Sequence, residues 1–283
     1  MGAIDTWCNG FTLAHRTRWE EVIKAQGLAL RIRKDDDDSF VEPDGMHARM
    51  DAIGFSTKLL PACEVPEHAT PFAFERYTSS PALVSKLAKA HPGRFYGLFS
   101  LDPTTGQDGV REAAEALAKK EFVGLHIHTP SWDRPLDHRD YYPYYALAAD
   151  HDVPVIMQAG TSGGLLPSEC GKPISIDRAA IYFNRVRFVL SHLGWPWTDE
   201  AVAMAMKFPN VFMGTAAWPP HRWPAVFVDF MKGSGRGKCM LGTSFPTVGH
   251  RHALTRLESL SLDPEVRFEY LEGAARRVFT RIR

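Results

Sequence analysis

The chain has 283 residues, of which 45% are hydrophobic and 23% are charged, as expected for a folded globular protein. Basic and acidic residues number 33 each, so no net charge draws the protein to nucleic acid or to an acidic membrane surface. No apolar run approaches the roughly 18 residues that a membrane span needs. These properties exclude nucleic-acid and membrane partners and favour a small-molecule ligand.

The cysteines are widely spaced along the chain. They are Cys8, Cys63, Cys170 and Cys239. They form neither a Cys-x-x-Cys pair nor a zinc-finger pattern, so we expect neither a disulfide framework nor a structural zinc site. This cysteine usage predicts a cytoplasmic protein.

Strands and helices are predicted to alternate along most of the chain. A first strand over Gly2–Cys8 is followed by a helical segment at Arg18–Gln26 and an irregular insertion at about residues 27–45. Later strands are predicted at Ser56–Leu60, Phe95–Leu101, Phe122–His128, Val153–Gln158, Val186–His192, Val211–Met213 and Lys238–Leu241. Helices are predicted at Met46–Ile53, Pro81–Ala90, Gly109–Lys120, Tyr141–His151, Ile176–Phe183, Thr198–Phe208, Pro224–Met231, His250–Leu260 and Pro264–Phe279.

About eight strands, each followed by a helical pattern and with no linker between two halves, predict a (β/α)8 TIM barrel. We expect it to form a single domain over residues 1–283. A doubly wound open sheet is the alternative architecture.

Polar side chains stand at the carboxyl ends of the predicted strands, where a TIM barrel has its active site. His126 and His128 are two residues apart on one strand, so alternation directs both toward the barrel mouth. His192 ends a β-branched apolar strand just before Gly194 breaks the pattern. His192 is therefore the candidate general acid/base, with His128 and His126 as its catalytic partners.

Aromatic and basic side chains in the following loops complete the predicted pocket. Trp195 and Trp218 suit a flat, apolar or aromatic ligand. His221 and Arg222 offer cations for a substrate carboxylate.

Seven segments together resemble the amidohydrolase-related branch of the amidohydrolase superfamily, which contains aminocarboxymuconate-semialdehyde decarboxylase and aromatic-acid decarboxylases. The segments are His91–Phe95, Leu101–Pro103, Val123–His128, Val153–Gln158, Ser191–Trp197, Pro209–Val211 and Gly273–Phe279. The resemblance covers the first strand and most of the chain from about Met46 onward. It implies the same barrel fold.

Members of that branch bind a divalent metal through two histidines after the first strand, one after the fifth and an aspartate after the eighth. By the resemblance, these positions hold Trp7, Asn9, Gln158 and Ser244 here. Four neutral groups of this kind do not replace three imidazoles and a carboxylate around a dication. We therefore predict no metal cofactor, with Trp7, Asn9, Gln158 and Ser244 binding substrate. The alternative is a divalent metal held by His126, His128 and His192.

The resemblance implies a metal-independent lyase or hydrolase that decarboxylates or hydrolyses a small, aromatic or unsaturated carboxylic acid. Two alternatives stay open. One is a catalytically silent subunit that pairs with a metal-bearing homologue, and the other is a metalloenzyme with the relocated histidine site. We expect a homo-oligomer, or a hetero-oligomer with a homologous subunit.

Overall fold

Eight parallel strands form one sheet in which each strand pairs with the next along the chain, as seen in a computed structural model of the protein. The structure describes residues 2–26, 40–62 and 79–282. The strands are β1 Ala3–Asp5, β2 Phe55–Ala62, β3 Phe95–Ser100, β4 Phe122–Ile127, β5 Val155–Gln158, β6 Phe188–Ser191, β7 Val211–Gly214 and β8 Cys239–Met240. Short, apolar and β-branched runs of this kind suit strands covered on both faces.

The first and last strands meet through the residues that follow them. The Thr6 amide donates to the Leu241 carbonyl at 2.9 Å, and the Ser244 amide donates to the Trp7 carbonyl at 2.8 Å. These contacts close the sheet into a barrel. The prediction of a single-domain TIM barrel is confirmed.

Helices surround the barrel. They are α1 Leu13–Gln26, α2 Pro43–Ile53, α3 Pro81–Ala90, α4 Gln107–Leu117, α5 Thr129–Trp132, α6 Tyr142–Asp150, α7 Ile176–Tyr182, α8 Thr198–Lys207, α9 Ala225–Lys232, α10 His250–Glu258, α11 Pro264–Phe268 and α12 Ala274–Val278. In α3 the Ser80 hydroxyl accepts from the Leu83 amide, which caps the helix, and Val84 and Leu87 turn toward the core. No helix in the described ranges is long and apolar enough to cross a membrane.

Two apolar cores organise the part of the chain that the structure describes. The barrel interior is filled by buried side chains from the strands, including Ile4, Leu59 and Val189, together with Val278 and Phe279 from the C-terminal segment. A larger cluster lies between the barrel and its helices. Because the C-terminal segment fills one end of the barrel interior, a functional pocket can form only at the other end, the barrel mouth.

Several predicted boundaries differ from the structure. The first strand ends at Asp5, because the backbone leaves strand geometry at Thr6 and resumes only one bridge, from Cys8 to Phe245. The final helix, predicted as continuous, is interrupted by a π turn at Glu269–Gly273. Helix α2 starts within the predicted irregular insertion, whereas residues 27–39 of that insertion, and Cys63, lie outside the described residues.

Candidate active site

Three histidines lie at the carboxyl ends of β4 and β6, where the barrel opens. Each of His126, His128 and His192 is less than 10% exposed. The Nδ1 atom of His126 hydrogen bonds the Ser100 hydroxyl at the end of β3, and Nδ1 of His128 hydrogen bonds the Ser131 hydroxyl. The Nε2 atom of His126 and the Nδ1 atom of His192 are buried without a hydrogen-bond partner. The mouth therefore has imidazole atoms that a ligand can engage.

The backbone at His192 is in the left-handed region, where non-glycine residues are uncommon. The φ angles are 61° at His192, 58° at Leu193 and 65° at Gly194. Positive φ angles recur after the next two strands, at Ala217 with 65° and at Ser244 with 49°. Strained backbone of this kind is concentrated at functional sites. Only Gly194 signals it in the sequence.

Trp7 forms one wall of the mouth. Its indole ring lies edge-on against His126 and His192, with ring centroids 4.4 and 4.8 Å apart. The indole N–H donates to Asn9 Oδ1 at 3.1 Å, and the Asn9 amide donates to Ser244 Oγ at 3.3 Å. Five of the predicted site residues are thus joined in one contact network.

Gln158 ends β5 beside the histidine strand. It pairs in register with Ser191, the residue that precedes His192, and is buried. Its amide nitrogen donates to the Thr161 carbonyl at 3.3 Å. This contact ties Gln158 to the loop that follows its own strand.

The remaining predicted residues lie farther out. The rings of Trp195 and Trp218 pack against each other with centroids 4.7 Å apart and planes tilted by 37°, and Trp195 is 39% exposed, so the pair forms a rim of the mouth. His221 and Arg222 are exposed on a short 3-10 helix, and the His221 ring lies 5.7 Å from that of His252 on α10. The structure therefore brings the tryptophans into one pair and places His221 against α10.

The three mouth histidines are electrically neutral near pH 7. Burial, followed by the nearby charges of His128 and His192, holds the pKa of His126 well below its usual range. Burial lowers the pKa of His128 to about 4. Burial, followed by the charge of His128, lowers the pKa of His192 to about 3. A neutral imidazole can accept a proton, and the arrival of an anion would favour its protonation.

A second polar cluster lies behind this mouth, on the outer side of β1. We call it the wall cluster and define it as Asp5, Cys8, Lys58, Thr243 and His250. Its side chains are fully buried. Cys8 packs in the cluster between barrel and helices, whereas Trp7 packs in the barrel interior, so neighbouring residues of this segment face opposite sides.

The Asp5 carboxylate is the centre of the wall cluster. Its Oδ2 atom lies 3.4 Å from His250 Nε2 and 3.9 Å from Lys58 Nζ, and it accepts from the Thr243 hydroxyl at 2.6 Å. Burial acts to raise the pKa of Asp5, but the hydrogen bond of His250 and the charge of Lys58 outweigh it and hold this pKa below its usual value. The carboxylate is therefore ionised. Sequence reasoning missed this cluster.

The fold and the mouth define a TIM-barrel enzyme of the amidohydrolase type. The amidohydrolase family profile matches residues 11–281, so the chain belongs to this family. The family match confirms the prediction of an enzyme and of the superfamily. Among proteins of curated function, a sequence comparison finds no match.

Solved structures share the fold at low identity. An uncharacterised TIM-barrel protein from Bordetella bronchiseptica is 20% identical with a TM-score of 0.77, covering 100% of this chain and 99% of its own. A 5-carboxyvanillate decarboxylase from Sphingomonas paucimobilis is 16% identical with a TM-score of 0.67, covering 99% of each chain. A dihydroxybenzoic acid decarboxylase from Polaromonas sp. JS666, with bound manganese and 2-nitroresorcinol, is 16% identical with a TM-score of 0.67, covering 100% of this chain and 98% of its own.

The prediction that the protein has no metal cofactor is wrong. Structurally similar decarboxylases hold manganese, and Asp5, Cys8 and His250 form a buried group that could bind a metal ion. The three ligand atoms of this group lie within 4.8 Å of one another. The alternative of a relocated metal on His126, His128 and His192 stays a prediction.

The donor atoms decide where a metal fits. Manganese prefers carboxylate and other oxygen ligands. The mouth positions Trp7, Asn9, Gln158 and Ser244 carry no carboxylate, and the Trp7 ring packs directly against two of the histidines. These residues do not fit manganese. The wall cluster combines a carboxylate, a thiol and an imidazole, a donor set that fits a borderline ion such as zinc.

Proposed function

We propose that the protein is an amidohydrolase-type lyase or hydrolase that acts on a small aromatic or unsaturated carboxylic acid bound in the barrel mouth. His192 is the general acid/base. The observation that carries this proposal is the state of its imidazole, which is neutral, buried, held in left-handed backbone and unpartnered at Nδ1.

The pocket suits an acid with a flat body. Trp7 at the wall and the Trp195–Trp218 pair at the rim supply aromatic surface. Three neutral imidazoles meet an incoming carboxylate without the repulsion of a fixed negative charge. The similar solved structures include a decarboxylase of 5-carboxyvanillate and one of dihydroxybenzoic acid, which supports an aromatic acid as substrate.

The carboxylate of the substrate would prepare His192 for proton transfer. A negative charge within a few ångströms of a buried imidazole raises its pKa, because it stabilises the protonated form. In a decarboxylation, the imidazolium would give its proton to the ring carbon that loses CO2. In a hydrolysis, the neutral imidazole would take a proton from the attacking water.

The substrate would be oriented by five side chains of the mouth, those of His128, His126, Asn9, Gln158 and Ser244. The hydrogen bonds between Ser131 and His128 and between Ser100 and His126 fix both rings. Asn9 and Ser244 hydrogen bond each other, so a ligand oxygen bound by one is positioned by both. We also propose that the exposed residues His221 and Arg222 attract the substrate carboxylate.

The experiment is a turnover assay on hydroxylated benzoic acids and unsaturated dicarboxylic acids, with manganese or zinc added in parallel. CO2 release and substrate absorbance distinguish decarboxylation from hydrolysis. We expect His192→Asn to lower kcat at least about 100-fold, the usual contribution of a positioned acid/base.

The matched control is His151→Gln, at the carboxyl end of α6 and thus near the barrel end opposite the mouth. It should retain full turnover. Equal turnover in wild type and His192→Asn would refute the assigned role of His192.

A further inference from the structure

We propose that Asp5, Cys8 and His250 of the wall cluster form a binding site for one zinc-type divalent cation, separate from the barrel mouth. This inference does not depend on the proposed function. It rests on the geometry, burial and donor chemistry of the three side chains.

The spacing of the donor atoms matches a tetrahedral site. Cys8 Sγ lies 3.7 Å from His250 Nε2, which lies 3.4 Å from Asp5 Oδ2. Zinc binds nitrogen and oxygen at about 2.0–2.1 Å and sulfur at about 2.3 Å, so tetrahedral ligands lie about 3.3–3.6 Å apart. The three atoms therefore need only small movements to reach one ion.

The ligands are held in place by their neighbours. The His250 ring stacks on Phe245, with centroids 4.6 Å apart and planes at 8°. The Thr243 hydroxyl and amide both donate to the Asp5 carboxylate, at 2.6 and 2.9 Å. Contacts of this kind orient ligands and raise metal affinity. The site is thus largely formed before an ion arrives.

The donor set selects the ion. A thiolate is a soft ligand that favours zinc over manganese, calcium or magnesium. On binding, the Cys8 thiol would lose its proton to solvent, and the sulfur would donate an electron pair to the ion. No electron transfer is involved, and the bound ion keeps its oxidation state.

Lys58 opposes the ion. Its ammonium lies 3.9 Å from Asp5 Oδ2 and 4.2 Å from the centre of the Phe55 ring. In a buried site this positive charge repels a divalent cation. Removing the charge should therefore strengthen metal binding, which gives the proposal a gain-of-affinity test.

The experiment is titration of the tag-free, metal-depleted chain with Zn2+ and with Co2+. Co2+ on a thiolate gives a near-ultraviolet charge-transfer band, which reports sulfur ligation independently of activity. We expect one ion per chain, and loss of the band in Cys8→Ser and in His250→Gln. Lys58→Met, which retains all three ligands, should bind at least about tenfold more tightly.

The matched controls are Cys239→Ser, a buried cysteine on β8, and His192→Asn in the mouth. Both should retain the band. Absence of a thiolate band in wild type and in Lys58→Met would overturn the proposal. So would an ion that is lost in His192→Asn but retained in Cys8→Ser, because it would lie in the mouth.

Discussion

The indole of Trp7 stands edge-on to the imidazole of His192, with ring centroids 4.8 Å apart and planes at 87°. The indole covers part of the imidazole with apolar surface, and burial of this kind favours the neutral form of a histidine. Trp7 is only 3% exposed, which keeps water from one side of the imidazole. Trp7 therefore helps to set both the position and the charge of the proposed acid/base.

Truncation of the Trp7 side chain should reduce the stability of the protein. Trp7→Ala removes a buried aromatic side chain and leaves a cavity, so we expect a loss of about 3–5 kcal/mol in the free energy of unfolding. Urea denaturation measures it. Trp195→Ala, at the exposed rim, is the control and should change stability by about 1 kcal/mol or less. Similar losses in the two variants would contradict the assigned burial.

Acid should destabilise the protein through the mouth histidines. The pKa of His128 is lowered to about 4 and that of His192 to about 3, both from an unfolded value of 6.5. Below pH 6.5 the unfolded chain binds protons that the folded chain does not, so stability falls as the pH decreases.

For each histidine, the loss of stability begins as the pH falls to the pKa of the unfolded state and ends near the pKa of the folded state. Each group contributes a slope of about 1.4 kcal/mol per pH unit. Denaturation at pH 7, 6, 5 and 4 measures this slope. His192→Gln and His128→Gln should each reduce the slope. A pH-independent stability between pH 7 and 5 would show that these imidazoles are not buried as neutral groups.

In the wall cluster, we expect the charges of Asp5 and Lys58 to stabilise each other in the folded protein. Asp5→Asn removes a carboxylate that lies 3.9 Å from the buried Lys58 ammonium, so we expect a loss of about 3–5 kcal/mol in the free energy of unfolding. The double variant Asp5→Asn with Lys58→Met removes both charges and should recover part of that loss. Thermal unfolding of the four proteins tests the coupling. Additive effects of the two substitutions would mean that Asp5 and Lys58 do not stabilise each other.

At Ala217, after β7, we expect a substitution that does not lower the stability of the protein, because the backbone there is left-handed. Ala217→Gly relieves a φ angle of 65°, so it should leave stability unchanged or raise it by up to about 1 kcal/mol. Ala146→Gly is the control, because it places the same substitution on an exposed position of α6, where we expect a loss of about 1 kcal/mol. Chemical denaturation compares the two. Equal losses would be inconsistent with strain at Ala217.

The fold could be predicted from the sequence because strands and helices alternate regularly along the chain. The spacing of His126, in β4, and His128, just after it, also predicted that both lie at the barrel mouth. It could not show the wall cluster, since Cys8 and His250 are 242 positions apart and match no metal-binding spacing. The metal expectation failed for a related reason. It considered only the mouth side of β1, whereas Asp5, Cys8 and His250, the group that could bind a metal ion, lie on the opposite side.

Residues near both ends of the described chain share one interior. Ile4 packs in the same buried cluster as Val278 and Phe279. During synthesis, the early strands can pair and their helices can pack against them. One end of the barrel nevertheless stays open until the segment with Phe279 leaves the ribosome. Until then the apolar lining is exposed to water and to chaperones. Truncation just before this segment should therefore yield an aggregating chain instead of a smaller barrel.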